Sequence, residues 1–245
     1  MKRFKLHWTN IIILILATVF IGSLGIGFLI QKNPLINFMD VYVYEFVANN
    51  MHSKILDMLI VPFNFNFLPW GGTGPIYLYF IILPSLVYLW IYKRSLFKWF
   101  IFTIIVALGL GWLVTLTDWH FVFRQRPFLV LIPNNIPKAM SDIWGVISSF
   151  PSGHTRDTAI IATLIASFIP VTILPAILIS LFVGFSRVYV GAHYPTDVLA
   201  GLVIGFLSAK VSLILSRELQ ITYDKRKGVK NEGKPEPKST DKVDL

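Results

Sequence analysis

No cysteine occurs anywhere in the 245 residues, which excludes disulfides, thiolate zinc sites, iron–sulfur clusters and cysteine nucleophiles together. Charge is scarce too. Asp, Glu, Lys and Arg make up 14% of the chain against 55% hydrophobic residues, and a mean hydropathy of +0.66 is too high for an ordinary water-soluble domain. The composition is that of a membrane protein. Acidic residues are the rarer sign, 13 against 22 basic, for a net charge of +9. The basic residues cluster beside apolar runs, where their expected partners are anionic lipid headgroups and not nucleic acid. Neither an internal repeat nor a low-complexity core is present, so any chemistry has to come from imidazoles, hydroxyls, carboxylates and guanidinium groups.

What the sequence does have is long uncharged stretches. Crossing a hydrocarbon core of about 30 Å takes roughly 20 helical residues, and residues 11–30, 75–92 and 99–117 have that character. Residues 158–186 carry no charge over 29 positions but are interrupted by Pro170 and Pro175; proline breaks a helix interior, so two spans are expected there, meeting at "PVTILP". A last span covers about 196–215, with Lys210 snorkelling to the interface. The reading is an all-α, integral-membrane bundle of six helices spanning 1–216. With "MKRFK", "YKRSLFK" and the basic C-terminal segment inside, both termini are cytoplasmic. Segments 31–74, 118–157 and 187–195 are then extracytoplasmic. Segment 31–74, aromatic and broken by Pro34, Pro62, Pro69 and "GGTG", is expected to lie along the membrane surface. Residues 217–245 hold eight basic and six acidic residues with almost no apolar content, and are expected to be a disordered cytoplasmic tail.

Three polar clusters stand on the outer side of this layout: "RQRP" (124–127), "PSGH" (151–154) and "SRVYVGAHYPTD" (186–197). Arg126 and Arg187 offer planar forks matched to phosphate oxygens. Ser152 precedes an apolar helical run and suits an N-cap, which points the following amides at an anion. Pro195 suits the first turn of the last helix, placing Asp197 near a helix N-terminus with His193 just ahead of it. In that arrangement the carboxylate can orient the imidazole and make it a better nucleophile or base. A single helix over 155–186 would separate His154 from Arg187 by roughly 50 Å at 1.5 Å per residue. Only a hairpin returns them to one face.

These residues resemble the three-part signature of the type 2 phosphatidic acid phosphatase family, which also includes the vanadium haloperoxidases. "RP" at 126–127, "PSGH" at 151–154, "SR" at 186–187, His193 and Asp197 agree at ten signature positions, in order, from the third span to the sixth. The resemblance implies a six-helix membrane enzyme that removes phosphate from lipid phosphates and needs no metal or other cofactor. It implies His193 as the nucleophile that forms a phosphohistidine, Asp197 as its orienter, and His154 as the acid that protonates the leaving oxygen. Arg126, Arg187, Ser152 and Gly153 would bind the phosphate. A neutral His193 and a protonated His154 would give a bell-shaped pH dependence. Undecaprenyl pyrophosphate and phosphatidylglycerophosphate are the favoured substrates, with phosphatidate behind them; a headgroup phosphotransferase and a non-catalytic lipid-binding relative are the alternatives.

One position departs from the pattern: the signature has a lysine seven residues before the arginine of "RP", where this chain has Trp119. Arg124, two residues from Arg126, is a further candidate phosphate ligand, as is His120; Arg156 is rotated by about 200° from His154 on a helix and is less suited. Taken singly, His7, His52 and His120 are expected to be structural or interfacial. Asp118, Asp142 and Asp157 are too scattered for a metal site and are expected to be solvated rim charges.

Overall fold

The computed structural model describes residues 25–60, 77–131 and 148–232, together with Leu14 and Ala17. Most of the expected first span, the stretches 61–76 and 132–147 and the end of the tail lie outside these residues, Asp142 and His7 among them. In chain order the helices are α1 (Ile26–Lys32), α2 (Pro34–Asn50), α3 (Lys54–Ile60), α4 (Tyr77–Tyr92), α5 (Arg94–Phe121), α6 (Pro127–Val130), α7 (Gly153–Phe168), α8 (Ile173–Tyr189) and α9 (Pro195–Glu232). Among the described residues no strand occurs. Three segments, Arg94–Phe121, Pro170–Tyr189 and Pro195–Arg226, are long and apolar enough to cross a membrane, and Ile82–Tyr92 is a shorter apolar helix. The described residues are all helical, with the apolar helices of a membrane protein.

Local chemistry sets the helix ends that matter here. Ser152 caps α7, its Oγ accepting from the Thr155 amide at 3.5 Å. At the other end Ile169 leaves the helical region (φ −131°, ψ 80°), which a following proline disfavours, and Pro170–Thr172 form a single 3₁₀ turn. Pro175 falls in the first turn of α8, where its missing N–H leaves no carbonyl unsatisfied. The hairpin therefore turns at Pro170, and His154 and Arg187 come back to the same end.

Helix α7 is the central element. Ala159, Ile160, Ile161, Ala162, Leu164 and Ile165 are all buried, packed among α5, α8 and α9. Helix α9 approaches it most closely at "GLVIG": a Cβ on Gly201 would lie 2.6 Å from the Ser152 carbonyl oxygen, and one on Gly205 would lie 2.4 Å from that of Arg156. Small residues four apart let two backbones touch, a device of membrane bundles. On α8 the outward residues Ile173, Leu174, Ile177, Leu178 and Leu181 stay exposed, a lipid-facing stripe in a protein of this composition.

Two expectations need correction. Residues 217–232 are not disordered: α9 continues through them to Glu232. Extending an existing helix avoids the cost of nucleation, and Arg, Glu, Gln and Lys are good helix formers. Tyr223 gives the extension a tertiary anchor, its ring edge-on to Trp99 at 6.1 Å and under the Lys98 ammonium at 4.3 Å. Segment 31–74 contributes more than surface cover, because one side of α2, bearing Asp40, Tyr44, Val47 and Ala48, is buried against α8 and α9. Asn33 caps α2 through its side chain, accepting from the Leu35 amide at 3.0 Å.

Candidate functional site

The three polar clusters meet where α7 and α9 begin and α8 ends. After Tyr189 the chain reverses tightly, with the amides of Ala192 and His193 both donating to the Arg187 carbonyl, at 3.1 and 3.2 Å. Gly191 takes the left-handed conformation the reversal requires (φ 69°). The turn buries His193 and presents it to Arg126. The Arg126 Nη1 donates to the Ala192 carbonyl at 2.9 Å and stands 3.3 Å from His193 Nε2, while Nη2 donates to the Ser148 carbonyl at 3.4 Å.

The tautomer of His193 follows from its other nitrogen. Nδ1 lies 2.6 Å from the Ser149 carbonyl, which can only accept, so Nδ1 carries the proton and Nε2 offers its lone pair toward Arg126. Burial lowers the ionisation of His193 well below the ordinary imidazole value, and the positive charges of Arg126 and Arg187 push it further, against the Ser149 carbonyl. The imidazole is neutral at pH 7. Burial brings the Arg126 guanidinium down to about 10, opposed by Asp197, and it remains a cation at neutral pH.

The remaining sequence-predicted residues are placed as follows. His154 occupies the first turn of α7 and is buried. Gly153 opens that helix, so its amide is one of the first-turn donors that no carbonyl of the same helix takes. The Ser152 amide donates to the Asp197 carbonyl at 3.0 Å, and its hydroxyl is within 2.9 Å of Thr155 Oγ1, so Ser152 shapes the helix start. Asp197 does not hydrogen-bond His193: its Oδ2 is 4.0 Å from Nδ1 and accepts instead from the Ser149 hydroxyl at 2.5 Å and the Tyr194 amide at 2.9 Å. The second of these is the backward bond of a capping box, made from the third residue of α9.

Arg124 is not available to a phosphate. Its Nη1 donates to Asp197 Oδ1 at 2.7 Å and its Nη2 to Asp40 Oδ2 at 2.6 Å. Burial weakens its charge, but the Asp197 and Asp40 carboxylates outweigh that and hold its ionisation above the usual guanidinium value. His120 likewise turns to its own helix, Nδ1 2.8 Å from the Leu116 carbonyl. Trp119 sits edge-on to Trp112 at 6.2 Å, with a buried Nε1 that has no hydrogen-bond partner. Asp118 is not a solvated rim charge: it is fully buried, and neither carboxylate oxygen has a hydrogen-bond partner. Asp157 pairs with Arg156 Nη2 at 2.7 Å, and Arg156, also buried, reaches α5 at the Gly111 carbonyl and the Thr115 hydroxyl. Among the described residues no group of three His, Asp or Glu is arranged to hold a metal ion.

Sequence reading missed Ser149, whose carbonyl fixes His193, and Asp40, which enters from α2. Ser149 lay two residues ahead of a recognised motif and was a discoverable neighbour; nothing in the pattern around Asp40 linked it to residues more than 80 positions away.

Residues 120–220 match the PAP2 superfamily. The matched stretch contains the ten signature positions named above, and Trp119 lies just ahead of it. The undecaprenyl-diphosphatase BcrC of Bacillus subtilis is 36% identical over 117 residues, 45% of this chain and 55% of that protein. Phosphatidylglycerophosphatase B of the same organism is 41% identical over 71 residues, 24% of this chain and 34% of that protein. The chain thus spans about half, or less, of the length of these curated relatives. In three dimensions it is similar to a transmembrane PAP2-type phosphatidylglycerolphosphate phosphatase from Bacillus subtilis, with a TM-score of 0.60 at 20% identity over 85% of this chain and 96% of the other. That likeness extends the PAP2 fold beyond residues 120–220.

Proposed function

We propose that this chain is an integral-membrane phosphatase acting on the phosphomonoester or pyrophosphate of a membrane lipid. One observation carries the reading: His193 holds its proton on Nδ1 against the Ser149 carbonyl, leaving Nε2 bare beside Arg126. A neutral imidazole with a fixed tautomer is a nucleophile, and a buried guanidinium next to it is a phosphate ligand. Nε2 attacks phosphorus as the bond to the lipid oxygen breaks, and His154 gives that oxygen its proton; burial and the Arg187, Arg126 and Arg156 charges hold this imidazole well below its ordinary value, so the negative charge of the bound phosphate is what protonates it. Water then displaces the histidine, the P–N bond breaks, His154 takes the proton of the water, and inorganic phosphate leaves. Arg126, Arg187 and the first-turn amide of Gly153 stabilise the charge on the equatorial oxygens, which is where most of the rate of phosphoryl transfer arises.

The names of the relatives favour undecaprenyl pyrophosphate or phosphatidylglycerophosphate as substrate. Six spans, with both termini cytoplasmic and the site on the extracytoplasmic side, remain the layout that the distribution of Lys and Arg supports. A cavity of about 490 Å³, lined by Ser85, Thr158, Ile161, Ala162, Ile165 and Phe182 among others, supports a hydrocarbon chain between the helices. His154, Thr158, Ile161, Ala162 and Ile165 share one face of α7 at helical spacing, so the cavity begins one turn from His154.

The test is phosphate release from a panel of lipid phosphates by purified protein in detergent, with and without vanadate, beside His193→Asn. Release that vanadate inhibits and His193→Asn abolishes is the expected result. No release by the native protein from any substrate would leave a non-catalytic lipid-binding relative, the reading that Trp119 favours.

A further inference from the structure

Behind the candidate nucleophile lies a line of buried charges that the phosphatase reading does not use. Asp40 comes from the buried side of α2, Arg124 from the segment after α5, and Asp197 from the first turn of α9; all three side chains are at least nine-tenths buried. The Arg124 guanidinium bridges the two carboxylates, at 2.6 Å to Asp40 and 2.7 Å to Asp197. It also donates to Asn37 Oδ1 at 3.3 Å and to Thr196 Oγ1 at 3.0 Å. Its carbon centre stacks 4.0 Å from the Tyr194 ring. Asp40 in turn accepts from the Thr196 amide at 3.0 Å and from its hydroxyl. Both terminal nitrogens of the guanidinium and all four carboxylate oxygens are thus engaged, and the geometry of the bridge is over-determined.

We propose that Asp40 and Arg124 are positioning residues for His193, acting in sequence through Asp197 and Ser149. The proposal rests on the phosphatase reading above. Asp197 stands 4.0 Å from His193 Nδ1 and makes no hydrogen bond to it; it holds the Ser149 hydroxyl at 2.5 Å. The carbonyl of that same Ser149 accepts the Nδ1–H at 2.6 Å. The Asp197 carboxylate therefore fixes the residue whose backbone fixes the imidazole. Arg124 fixes Asp197, and Asp40 keeps the guanidinium from swinging away. A buried ion bridge with one member removed leaves a charge without a partner, which rearranges to find one. The outermost member lies on α2, outside the three signature motifs, and this explains why that helix packs its polar Asp40 inward.

Asp40→Asn keeps the shape and removes the charge, and Ser149→Ala keeps the carbonyl and removes the hydroxyl that ties it to Asp197. Neither change touches a phosphate ligand. Both are expected to lower kcat by roughly tenfold to a hundredfold, by analogy with lost outer partners of metal-bound histidines, with KM within twofold. Asp40→Glu, which restores the charge, should recover part of the loss. A second readout does not need turnover: with ¹⁵N-labelled histidine, the native protein should show a downfield Nδ1–H proton for His193 that Asp40→Asn and Ser149→Ala shift upfield. This signal tests the proposal even if the native protein releases no phosphate, a result that would refute only the phosphatase reading. If kcat per folded molecule stays within twofold and the Nδ1–H resonance does not move, the bridge is structural and the proposal is overturned. A rise in KM with kcat unchanged would overturn it equally. If Asp40→Asn does not fold, Ser149→Ala decides.

Discussion

Replacing either glycine of the α7–α9 contact by alanine should separate effects on stability from effects on activity. At Gly201 an added Cβ meets the Ser152 carbonyl oxygen at 2.6 Å, with the Arg156 amide nitrogen and Thr155 Cβ at 3.2 Å. At Gly205 it meets the Arg156 carbonyl oxygen at 2.4 Å and Ala159 Cβ at 2.8 Å. Carbon–oxygen contacts begin at about 3.3 Å, so the helices must part by roughly 0.7 Å for Gly201→Ala and roughly 0.9 Å for Gly205→Ala. Overpacking of this kind costs about 1–3 kcal/mol, and the larger clash predicts the lower melting temperature for Gly205→Ala. Activity should rank the other way. Ser152 caps the helix that starts with Gly153 and His154, and its amide is bonded to the Asp197 carbonyl at 3.0 Å. The push at Gly201 therefore lands on the site, whereas the push at Gly205 lands a turn deeper. A misplacement near 1 Å can cost about a hundredfold, so kcat/KM per folded molecule should fall tenfold to a hundredfold in Gly201→Ala and less in Gly205→Ala. Gly109→Ala, with nothing within 4 Å of its Cβ, is the neutral control. Melting followed by tryptophan fluorescence and phosphate release in detergent measure the two quantities. A Gly201→Ala enzyme with kcat/KM within twofold of the native one would refute the link between this contact and the site.

Three further outcomes are expected. Because His193 ionises well below its ordinary value when folded, neither state takes a proton there above about pH 6.5; below it the unfolded chain gains a proton that the folded site refuses. Stability should then fall by up to about 1.4 kcal/mol per pH unit on acidification, and melting temperatures between pH 6.5 and 5 should fall less steeply in His193→Gln, or the burial assigned to this imidazole is wrong. The same sign places any acid limb of kcat/KM due to His193 below pH 6.5. Ala162→Trp fills the cavity beside α7 and should raise KM for long-chain lipid phosphates while sparing a short-chain soluble one; equal effects on both would remove the cavity from substrate binding. Arg126→Lys replaces a fork that spans the Ala192 and Ser148 carbonyls with a single point charge, and should cut kcat/KM on the order of a hundredfold, measurable at saturating and limiting substrate.

The parts of this molecule written in local sequence were readable from it. Pro170 announced the α7–α8 turn, Ser152 its cap, and Pro195 the start of α9, because each acts on its own neighbours. The arginine and histidine clusters were legible for the same reason, and a helix length of 1.5 Å per residue was enough to require that they meet. Partnerships across the fold were not legible. Arg124 looks like a phosphate ligand when only Arg126 is in view, and becomes the counter-ion of two carboxylates once α2 is packed in place. Asp197 sits four residues from His193 and looks like its direct partner, yet its short side chain is taken up by Ser149, Tyr194 and Arg124. The charged run after residue 216 looked too polar to be ordered, since composition counts charges but does not register that a helix already under way is easy to continue.

Helix α9 has 38 residues, about 57 Å at 1.5 Å per residue, with proline only at its first position. Its tightest contact, at Gly201 and Gly205, stands about 6–12 Å from Asp197 and about 27–33 Å from Tyr223 by the same rise. Between those points Ile204, Ser208, Ala209, Val211, Ser212 and Ser216 are buried as well, so the rod is clamped along its length and cannot tilt about one point. Trp99 and Lys98, at 6.1 and 4.3 Å from the Tyr223 ring, carry that clamp about 39 Å along the helix from the Asp197 carboxylate.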